Sequence, residues 1–459
     1  MVTSPLSSSD ASLGAAITSS RTEFFSGRIN VPGDKSISHR ALMLAASAVG
    51  DTLISGLLEG EDVLATAQAL RLLGARIENI SDGAWRVTGR GVGGLREPSQ
   101  ALDLGNAGTG VRLLMGLVAS HPFNSVFCGD ASLSARPMER VMAPLRRMGV
   151  NFTARSGGLL PLTVHGSDML VPLEETLSVA SAQVKSAILL AGLNTRGKTT
   201  VIEPAPSRDH TENMLAHFGA EVTVQDTAAG RAITLTGYPE LLAKDIQVPA
   251  DISSAAFPLV AGLLCTGGVT IENVSLNPLR TGLLDCLRDM GATIKISNER
   301  ISGGEAIGDV SADHSALHGI NVPAMRAPSM IDEYPILAMA AACATGDTVL
   351  EGVGELRVKE SDRLGALAAG LSACGVSVEE TRASLTIHGT GRAPMGGGYV
   401  SAHMDHRIAM SFLVLGMVTA APVTVDDGMP IATSFPGFVS IMNDAGACFE
   451  GHGAPSWTK

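Results

Sequence analysis

Nine basic side chains lie close to the starts of apolar segments in this 459-residue chain. The start of an α-helix offers unpaired N–H groups and a partial positive charge, so helix starts that meet at one cleft attract an anion. A helix dipole contributes about 0.3–1 kcal/mol, whereas a hydrogen bond to a charged group contributes about 1.5–3 kcal/mol, so the side chains should dominate. Together they predict a cleft for a small polyanionic substrate. The nine are Lys35, Arg40, Arg112, Arg136, Lys185, Arg208, Lys359, Arg363 and Arg407.

Two pairs of residues have spacings that suit an anion. Ser36 and Arg40 stand four residues apart, so a helix would offer a hydroxyl and a guanidinium on one face to one phosphate or carboxylate. Lys359 and Arg363 are also four apart, and Glu360 between them can reach Arg363, which would hold a carboxylate among cations. For this second segment taken alone, an exposed helix face with ordinary ion pairs fits better.

Other candidate residues have ordinary explanations when each is taken alone. Asp332 could cap a helix, Asn106 could serve a turn, and Gly108 could meet a backbone requirement for positive φ. We assign no chemistry to His39 or His406, each of which precedes an arginine. What indicates a functional site is the joint placement of the candidates at equivalent positions of an internal repeat.

The repeat begins with a polar cluster and an apolar stretch that suits a buried helix and is too short to span a bilayer. A second helix in each unit ends at a glycine and precedes an alternating strand. A β-branched segment separates the two helices, so each unit of about seventy residues holds strand and helix twice. The clusters with their apolar stretches occupy 33–49, 105–119, 181–193, 250–264, 329–344 and 403–420, and the glycines are Gly74, Gly149, Gly219, Gly291, Gly375 and Gly446.

The two halves of the chain also resemble each other. The phrase VPGDKSIS at Val31 returns as VPADISS at Val248, 217 residues later. We therefore predict an α/β fold of two pseudo-symmetric domains with three units each, one of 34–248 and the other of 1–33 with 249–459. The chain would cross between them just before Lys35 and near Val248, and the first thirty residues would pair with the C-terminal half.

Composition limits the partners. A net charge of -12 argues against nucleic acid or an anionic membrane surface as the main partner. The six cysteines are scattered, with no CxxC and no histidine pair at metal-ligand spacing, which favours a reduced cytosol and supports neither zinc nor disulfides. The Ser-rich segment 4–21 is interpreted as a flexible extension, with a plastid transit segment as the alternative.

Eight motifs carry a resemblance to a known family. They are PGDKSISHRA, LGNAGTGVRL, GDASLSARPM, ASAQVKSA, SRDHTENML, APSMIDEYPILA, ELRVKESDRL and MDHRIAMSF. In this order, from about Gly33 to Pro436, they resemble the 5-enolpyruvylshikimate-3-phosphate (EPSP) synthases, the 3-phosphoshikimate 1-carboxyvinyltransferases. The resemblance implies two domains of three βαβαββ units hinged over a cleft, the fold of the enolpyruvyl transferases.

The resemblance also implies an activity in the shikimate pathway to chorismate and aromatic amino acids. The enolpyruvyl group of phosphoenolpyruvate would move to the 5-hydroxyl of shikimate 3-phosphate, with release of phosphate and without metal or organic cofactor. Glyphosate is the implied inhibitor, and we expect a cytoplasmic monomer. The residues implied to bind shikimate 3-phosphate are Lys35, Ser36, Arg40, Ser181, Ala182, Gln183, Arg208, Asp332 and Lys359.

A second implied set would bind phosphoenolpyruvate and carry the chemistry. C2 of phosphoenolpyruvate becomes electrophilic when C3 is protonated, so an acid must donate there while a base relieves the attacking hydroxyl. We predict Asp332 as the base and Glu360, assisted by Lys35, for the proton transfers at C3. The residues implied to hold phosphoenolpyruvate are Lys35, Asn106, Gly108, Arg136, Gln183, Arg363 and Arg407, with Thr109 beside them.

The chain departs from the family pattern at a few positions. Thr433 and Ser434 precede Phe435 where some relatives carry a lysine, so one phosphoenolpyruvate contact is absent or comes from another residue. Ala182 stands where some members repeat serine, and Leu113 stands where others have proline. Gly108 is the small residue where glyphosate-tolerant members often carry alanine, so we predict a glyphosate-sensitive enzyme.

Two alternatives remain at this stage. The related enolpyruvyl transferase that acts on UDP-N-acetylglucosamine uses a cysteine in the loop before Ala-Arg-Pro, but here that loop reads GDASLSARPM and Cys128 precedes it. A non-catalytic anion-binding relative is the other alternative, and the apparently full set of Lys35, Asp332, Glu360 and Arg407 stands against it.

Overall fold

The computed structural model describes residues 16–81 and 83–452. Most of the Ser-rich segment that we interpret as an extension lies outside the described residues. Its last part is not an extension, because Ala16–Ser20 form a strand that pairs with strands near the other end of the chain.

Helices form where the repeat predicts them. Each of the six apolar stretches contains one α-helix. All six predicted glycines have positive φ, between 81° and 114°. Three short 3-10 helices span Ala324–Arg326, Gly354–Val358 and Met429–Thr433. The α-helices of the described residues are α1 (Lys35–Ala46), α2 (Glu61–Leu72), α3 (Gly108–Ala119), α4 (Ala131–Ser134), α5 (Glu139–Arg147), α6 (Ala182–Gly192), α7 (His210–His217), α8 (Ile252–Leu264), α9 (Gly282–Asp289), α10 (Ala327–Met330), α11 (Tyr334–Cys343), α12 (Arg363–Ala373), α13 (His406–Gly416) and α14 (Phe438–Asp444).

None of the helices in the described ranges is both long and apolar enough to cross a membrane. The strands of the same ranges, in chain order, are β1 (Ala16–Ser20), β2 (Phe25–Ile29), β3 (Asp51–Ser55), β4 (Arg76–Ser81), β5 (Ala84–Thr88), β6 (Leu102–Asp103), β7 (Asn124–Cys128), β8 (Asn151–Arg155), β9 (Leu159–His165), β10 (Glu174–Thr176), β11 (Lys198–Glu203), β12 (Val222–Thr227), β13 (Gly230–Thr236), β14 (Ile246–Gln247), β15 (Gly267–Ser275), β16 (Thr293–Ser302), β17 (Glu305–Asp313), β18 (Asn321–Val322), β19 (Thr345–Leu350), β20 (Ser377–Glu380), β21 (Leu385–Thr390), β22 (Tyr399–Val400), β23 (Val423–Val425) and β24 (Cys448–His452).

The described strands form six four-stranded sheets with one common plan, a parallel first pair followed by two antiparallel pairings. In the first half the orders are β14-β3-β5-β4, β6-β7-β9-β8 and β10-β11-β13-β12. In the second half they are β2-β15-β17-β16, β18-β19-β21-β20 and β22-β23-β1-β24. The two N-terminal strands β1 and β2 therefore complete sheets of the C-terminal half, while β14 completes the first sheet of the N-terminal half.

The repeated phrase marks the two places where the chain passes between halves. One passage leads from β2 to α1 and the other from β14 to α8. They hydrogen-bond to each other, because Asp34 N donates to Pro249 O at 2.7 Å and Asp251 N donates to Pro32 O at 2.9 Å. Gly33 is required here, since a Cβ on it would lie 2.0 Å from the carbonyl oxygen of Gly56.

The buried apolar residues fall into two separate cores. One core draws on residues from Ile37 to Val248, and the other combines Ile17, Phe25 and Ile29 with residues from Ala250 to Phe449. We propose that these cores are the two domains, with boundaries of 34–248 for the first and 1–33 with 249–459 for the second. In both, helices that are apolar on nearly every side are buried between the sheets.

Candidate active site

A cavity of about 430 Å³ lies between the two halves, and we call it the central cavity. Both halves contribute charged and polar side chains to its wall, including most of the residues that the sequence places in a site. Those that line it are Lys35, Ser36, Thr109, Ser181, Ala182, Gln183, Arg208, Asp332, Lys359, Glu360 and Arg407.

Several helices begin at the central cavity, and α1, α6 and α13 are among those that have a capping side chain at the start. Asp34 caps α1 by accepting from Ile37 N at 2.9 Å, and Asp405 caps α13 by accepting from Arg407 N at 2.9 Å. Ser181 caps α6 with a longer contact of 3.4 Å to Val184 N. These caps fix where each helix starts, so the predicted convergence of helix N-termini on one cleft is confirmed.

Asp332 is the carboxylate that most of the cations surround. Its Oδ2 lies 2.7 Å from Arg208 of the other half, while its Oδ1 lies 3.3 Å from Arg363 and 3.9 Å from Lys359. Arg407 donates to its backbone carbonyl at 3.1 Å. Burial alone raises the pKa of Asp332, but these positive charges, with Arg407 foremost, hold it well below its usual range. Asp332 is therefore ionised at neutral pH.

Glu360 sits on the same cluster of cations. Arg363 donates to its carboxylate at 2.6 Å and to Asp405 at 2.8 Å, so the buried guanidinium is shared among acids. Burial raises the pKa of Glu360, but Arg363 outweighs this and the pKa falls below the usual range. Lys359 follows a 3-10 helix and Arg363 begins α12, so the ordinary interpretation of one exposed helix face is wrong.

Two of the predicted phosphoenolpyruvate residues, Asn106 and Gly108, lie at the start of α3. Arg136 donates to Asn106 at 2.9 Å, and the site of a Cβ on Gly108 is 3.3 Å from the same guanidinium. Gln183, which lines the cavity, accepts from Arg112 at 2.9 Å and donates to Thr109 at 3.0 Å. Thr109, which follows Gly108, lines the cavity, so Asn106, Gly108 and Arg136 are adjacent to the cavity wall without being part of it.

Arg112 and Arg136 are poorly neutralised by their surroundings. Within the described residues neither Arg112 nor Arg136 has a carboxylate within ion-pair distance; both bond to amide or hydroxyl groups instead. Burial, together with the charge of Arg136, lowers the pKa of Arg112 to about 10. A cation that is costly to bury and lacks an anionic partner favours binding of an anionic ligand.

Lys35 begins α1 and reaches into the cavity, where its ammonium pairs with Asp62 of α2. Asp62 had no role in the sequence analysis, and its place on a neighbouring helix carries no sequence signal. His406 also lines the cavity, and burial followed by the charge of Arg407 lowers its pKa to about 3. His406 is therefore neutral at neutral pH.

Five of the nine predicted cations do not line the cavity wall: Arg40, Arg112, Arg136, Lys185 and Arg363. Lys185 is fully buried behind the start of α6, so its assignment to a positive cleft is wrong. Arg40 shares α1 with Ser36 as predicted, but its three guanidinium nitrogens donate to Thr211, Ser186 and the Ser36 carbonyl. Ser36 alone of that pair faces the cavity in this conformation.

Sequence reasoning missed one cationic centre. Arg280 is buried at the cavity, with Asp34 at 3.2 Å, Asp251 at 3.3 Å and Glu333 at 4.0 Å. Arg280 forms ion pairs with Asp34, which caps α1, and with Asp251, which caps α8, so it links the two passages between the halves. Asp34 and Asp251 occupy equivalent positions in the repeated phrase, and that equivalence was the available signal.

Two of the acids around Arg280, Asp34 and Asp251, have pKa values shifted in opposite directions. Burial raises the pKa of Asp34, but Arg280 outweighs it and brings the value to about 2. Burial and the neighbouring charge of Asp34 raise the pKa of Asp251 to about 6.

No group of three His, Cys, Asp or Glu side chains within residues 16–81 and 83–452 is arranged to hold a metal ion.

Comparison with known proteins identifies the family. A solved structure of EPSP synthase from Acinetobacter baumannii matches with a TM-score of 0.88 and 45% sequence identity, covering 95% of this chain and 100% of that one. The two halves of mixed α/β structure with a cavity between them have the two-domain enolpyruvyl transferase fold, and the matching proteins are transferases. The family model described as EPSP synthase (3-phosphoshikimate 1-carboxyvinyltransferase) matches residues 20–442. The chain belongs to the EPSP synthase family.

Relatives from other organisms agree with this assignment. A protein of Paramagnetospirillum magneticum named 3-phosphoshikimate 1-carboxyvinyltransferase is 59% identical over 437 residues, covering 95% of this chain and 98% of the relative. A protein of the same name from Granulibacter bethesdensis is 60% identical over 425 residues, covering 92% and 94%. The resemblance that the eight motifs indicated is confirmed.

Proposed function

We propose that the chain transfers the enolpyruvyl group of phosphoenolpyruvate to the 5-hydroxyl of shikimate 3-phosphate, giving 5-enolpyruvylshikimate 3-phosphate and phosphate. This is the step of the shikimate pathway from which the family takes its name. The observation that carries the proposal is the single cavity in which basic residues of both halves surround Asp332 and Glu360. Two anionic substrates need such a set of cations, because otherwise they would repel each other.

The two substrates divide the cavity between them. Shikimate 3-phosphate lies against the first half, where Ser36, Ser181, Ala182, Gln183 and Arg208 line the wall, with Lys35, Asp332 and Lys359 facing its hydroxyls. Phosphoenolpyruvate is bound by Lys35, Gln183, Arg363 and Arg407. Domain closure brings Asn106, Gly108 and Arg136 into contact with it. Arg40 supports Ser36 in this conformation and would need to rotate to touch substrate.

The chemistry follows from the two carboxylates. Asp332 accepts the proton of the 5-hydroxyl, while Glu360, assisted by Lys35, delivers a proton to C3 of phosphoenolpyruvate. The hydroxyl oxygen then bonds to C2, and the resulting adduct loses phosphate when C3 returns its proton. The cations around both carboxylates lower their pKa values. Bound anions compensate those cations, which raises both pKa values toward the range where proton transfer is effective.

A phosphate-release assay with shikimate 3-phosphate and phosphoenolpyruvate tests this function. We expect turnover that needs both substrates and yields one phosphate for each enolpyruvyl ether. Replacing shikimate 3-phosphate by UDP-N-acetylglucosamine should give none, because the loop before Ala135 and Arg136 contains no cysteine and Cys128 ends strand β7. No turnover with either acceptor would favour a non-catalytic relative.

Glyphosate sensitivity is a prediction that depends on Gly108. A methyl group at this position would lie 3.3 Å from Arg136, 3.4 Å from Arg112 and 3.8 Å from Leu133. The arginine ends can shift by a few tenths of an ångström, so the protein should fold while the space beside them narrows. Because one methyl in a pocket changes binding by about 1–3 kcal/mol, we expect Gly108→Ala to raise the glyphosate inhibition constant about tenfold or more.

The measurement is an inhibition series on both proteins at matched phosphoenolpyruvate saturation. The KM for shikimate 3-phosphate serves as the internal control and should not change, since Gly108 lies on the phosphoenolpyruvate side. Equal inhibition constants for the two proteins would refute the prediction.

Assembly and location are also proposals. We propose a cytoplasmic monomer, supported by the central cavity being built from a single chain and by the absence of disulfides among the cysteines of the described residues. Gel filtration with light scattering would test the monomer.

A further inference from the structure

Lys185 carries a fully buried positive charge that the proposed mechanism does not use. Its ammonium lies 2.9 Å from Glu203 and 2.7 Å from Glu212, both buried, and 3.4 Å from the Ser207 carbonyl. Burial raises the pKa of Glu212, and Lys185 opposes that rise. A buried lysine between two carboxylates is an expensive arrangement, and hydrophobic residues of similar volume would often be no less stable. Its presence therefore calls for a role other than stability.

The network joins three parts of the first half. Lys185 belongs to α6, Glu203 ends β11, and Glu212 belongs to α7. Arg40 of α1 brings the second buried cation, because it bonds to Thr211 beside Glu212 and to Ser186 beside Lys185. Two cations thus balance two carboxylates. We call Arg40, Lys185, Glu203 and Glu212 the buried quartet.

Residues close in sequence to the buried quartet line the central cavity. Ser36 is four residues before Arg40 and receives a hydrogen bond from it through its carbonyl. Gln183 is two residues before Lys185, and Ser181 caps the same helix. Ser207 and Arg208 lie on the loop between Glu203 and α7, and this loop is held by the Lys185 contact to the Ser207 carbonyl and by the Ser207 hydroxyl bonded to Glu203. All of these neighbours face the cavity.

We propose that Lys185 is a positioning residue for the shikimate 3-phosphate half of the site. Its ammonium fixes the loop that carries Ser207 and Arg208 against the start of α6, so that the serine, glutamine and arginine groups meet one substrate in a fixed arrangement. Lys185 itself never touches the substrate. The proposal rests on the function proposed above and adds to it the residue that sets affinity for one of the two substrates.

Lys185→Met tests the proposal, because methionine fills a similar volume without charge. It removes the cation that Glu203 and Glu212 share, so either the loop must move or one of the two carboxyls must take up a proton. Because a displaced loop weakens the contacts of Ser207 and Arg208 with the charged substrate, we expect the KM for shikimate 3-phosphate to rise about tenfold. The KM for phosphoenolpyruvate and kcat should stay close to wild type, and calorimetry should show the same loss in binding of shikimate 3-phosphate alone.

Charge balance supplies a rescue that a merely structural role would not produce. Adding Glu212→Gln to Lys185→Met leaves Arg40 and Glu203 as one cation and one anion, so the double variant should recover most of the affinity for shikimate 3-phosphate. Lys198→Met is the matched control, an exposed lysine on the same strand as Glu203, and should change nothing. Should Lys185→Met fail to fold, the single variant Glu212→Gln must raise the same KM selectively.

A folded Lys185→Met protein with unchanged KM for shikimate 3-phosphate would overturn the proposal. So would equal losses in both KM values and kcat, because these would indicate a general defect. Wild-type protein without turnover would instead refute the proposed function, so the two failures are distinguishable.

Discussion

Glu360→Gln is expected to lower kcat by about 10²–10⁴-fold, the usual contribution of a positioned acid or base. Glutamine keeps the shape and can still accept from Arg363, but it has no proton to give to C3 of phosphoenolpyruvate. The KM values should change far less than kcat, because Arg363 retains Asp405 as its principal partner and Asp332 nearby. Steady-state kinetics with both substrates varied provides the measurement.

Two further variants serve as comparisons for Glu360→Gln. Asp332→Asn removes the proposed base and should lower kcat by a similar factor, about 10²–10⁴-fold. Glu351→Gln, an exposed glutamate beyond strand β19, should behave as wild type. If Glu360→Gln loses less than about tenfold while Asp332→Asn loses the full factor, the acid is another group and the assignment of Glu360 fails.

Arg280→Met is expected to be strongly destabilising. Removing the arginine leaves Asp34, Asp251 and Glu333 buried without the cation that joins them, and breaking a buried ion pair in this way costs about 3–5 kcal/mol. The free energy of unfolding should fall by about that amount in urea denaturation, unless the carboxyls take up protons. Arg288→Met is the matched control, since its arginine is exposed on α9 and its pair with Asp285 should contribute at most about 1 kcal/mol.

The destabilisation by Arg280→Met should depend on pH with a definite sign. Asp251, whose pKa is raised to about 6, adds stability at low pH that is lost as the pH rises through 6. Asp34, with a pKa of about 2, adds stability at neutral pH that is lost only as the pH falls through 2. Without Arg280 both pKa values rise, so the difference from wild type should grow between pH 4 and 7. A difference that shrinks over this range would show that the acids are not held by Arg280.

The fold could be predicted because its signals are local and repeated. Each apolar stretch and each terminal glycine acts within one turn of its own helix, and six copies at similar spacing leave little ambiguity. The end of the Ser-rich segment was harder to predict, because Ala16–Ser20 form a strand only by pairing with β23 and β24, more than 400 residues away. Composition carries no trace of such a distant partner.

The site was predictable where a residue faces the cavity from a helix start. Ser36 and Arg407 follow from that rule, but Lys185 shows its limit, since a helix start has an inner side and the sequence does not say which side a lysine takes. Its partners Glu203 and Glu212 read as ordinary acids until the fold brings them together. Arg280 was missed for the same reason, because its three carboxylates come from distant parts of the chain.

The strands β1 and β2 have a consequence for synthesis on the ribosome. They are the first described strands to emerge, yet β2 pairs with Gly267–Ile271 and β1 must wait for Cys448–His452. The described strands of the first half, β3 to β14, all lie in one stretch of chain, so this half can fold early while β1 and β2 remain unpaired and exposed to other chains. The second half can complete its last sheet only when translation is almost finished. Slow elongation should therefore favour aggregation of nascent chains over their release as folded enzyme.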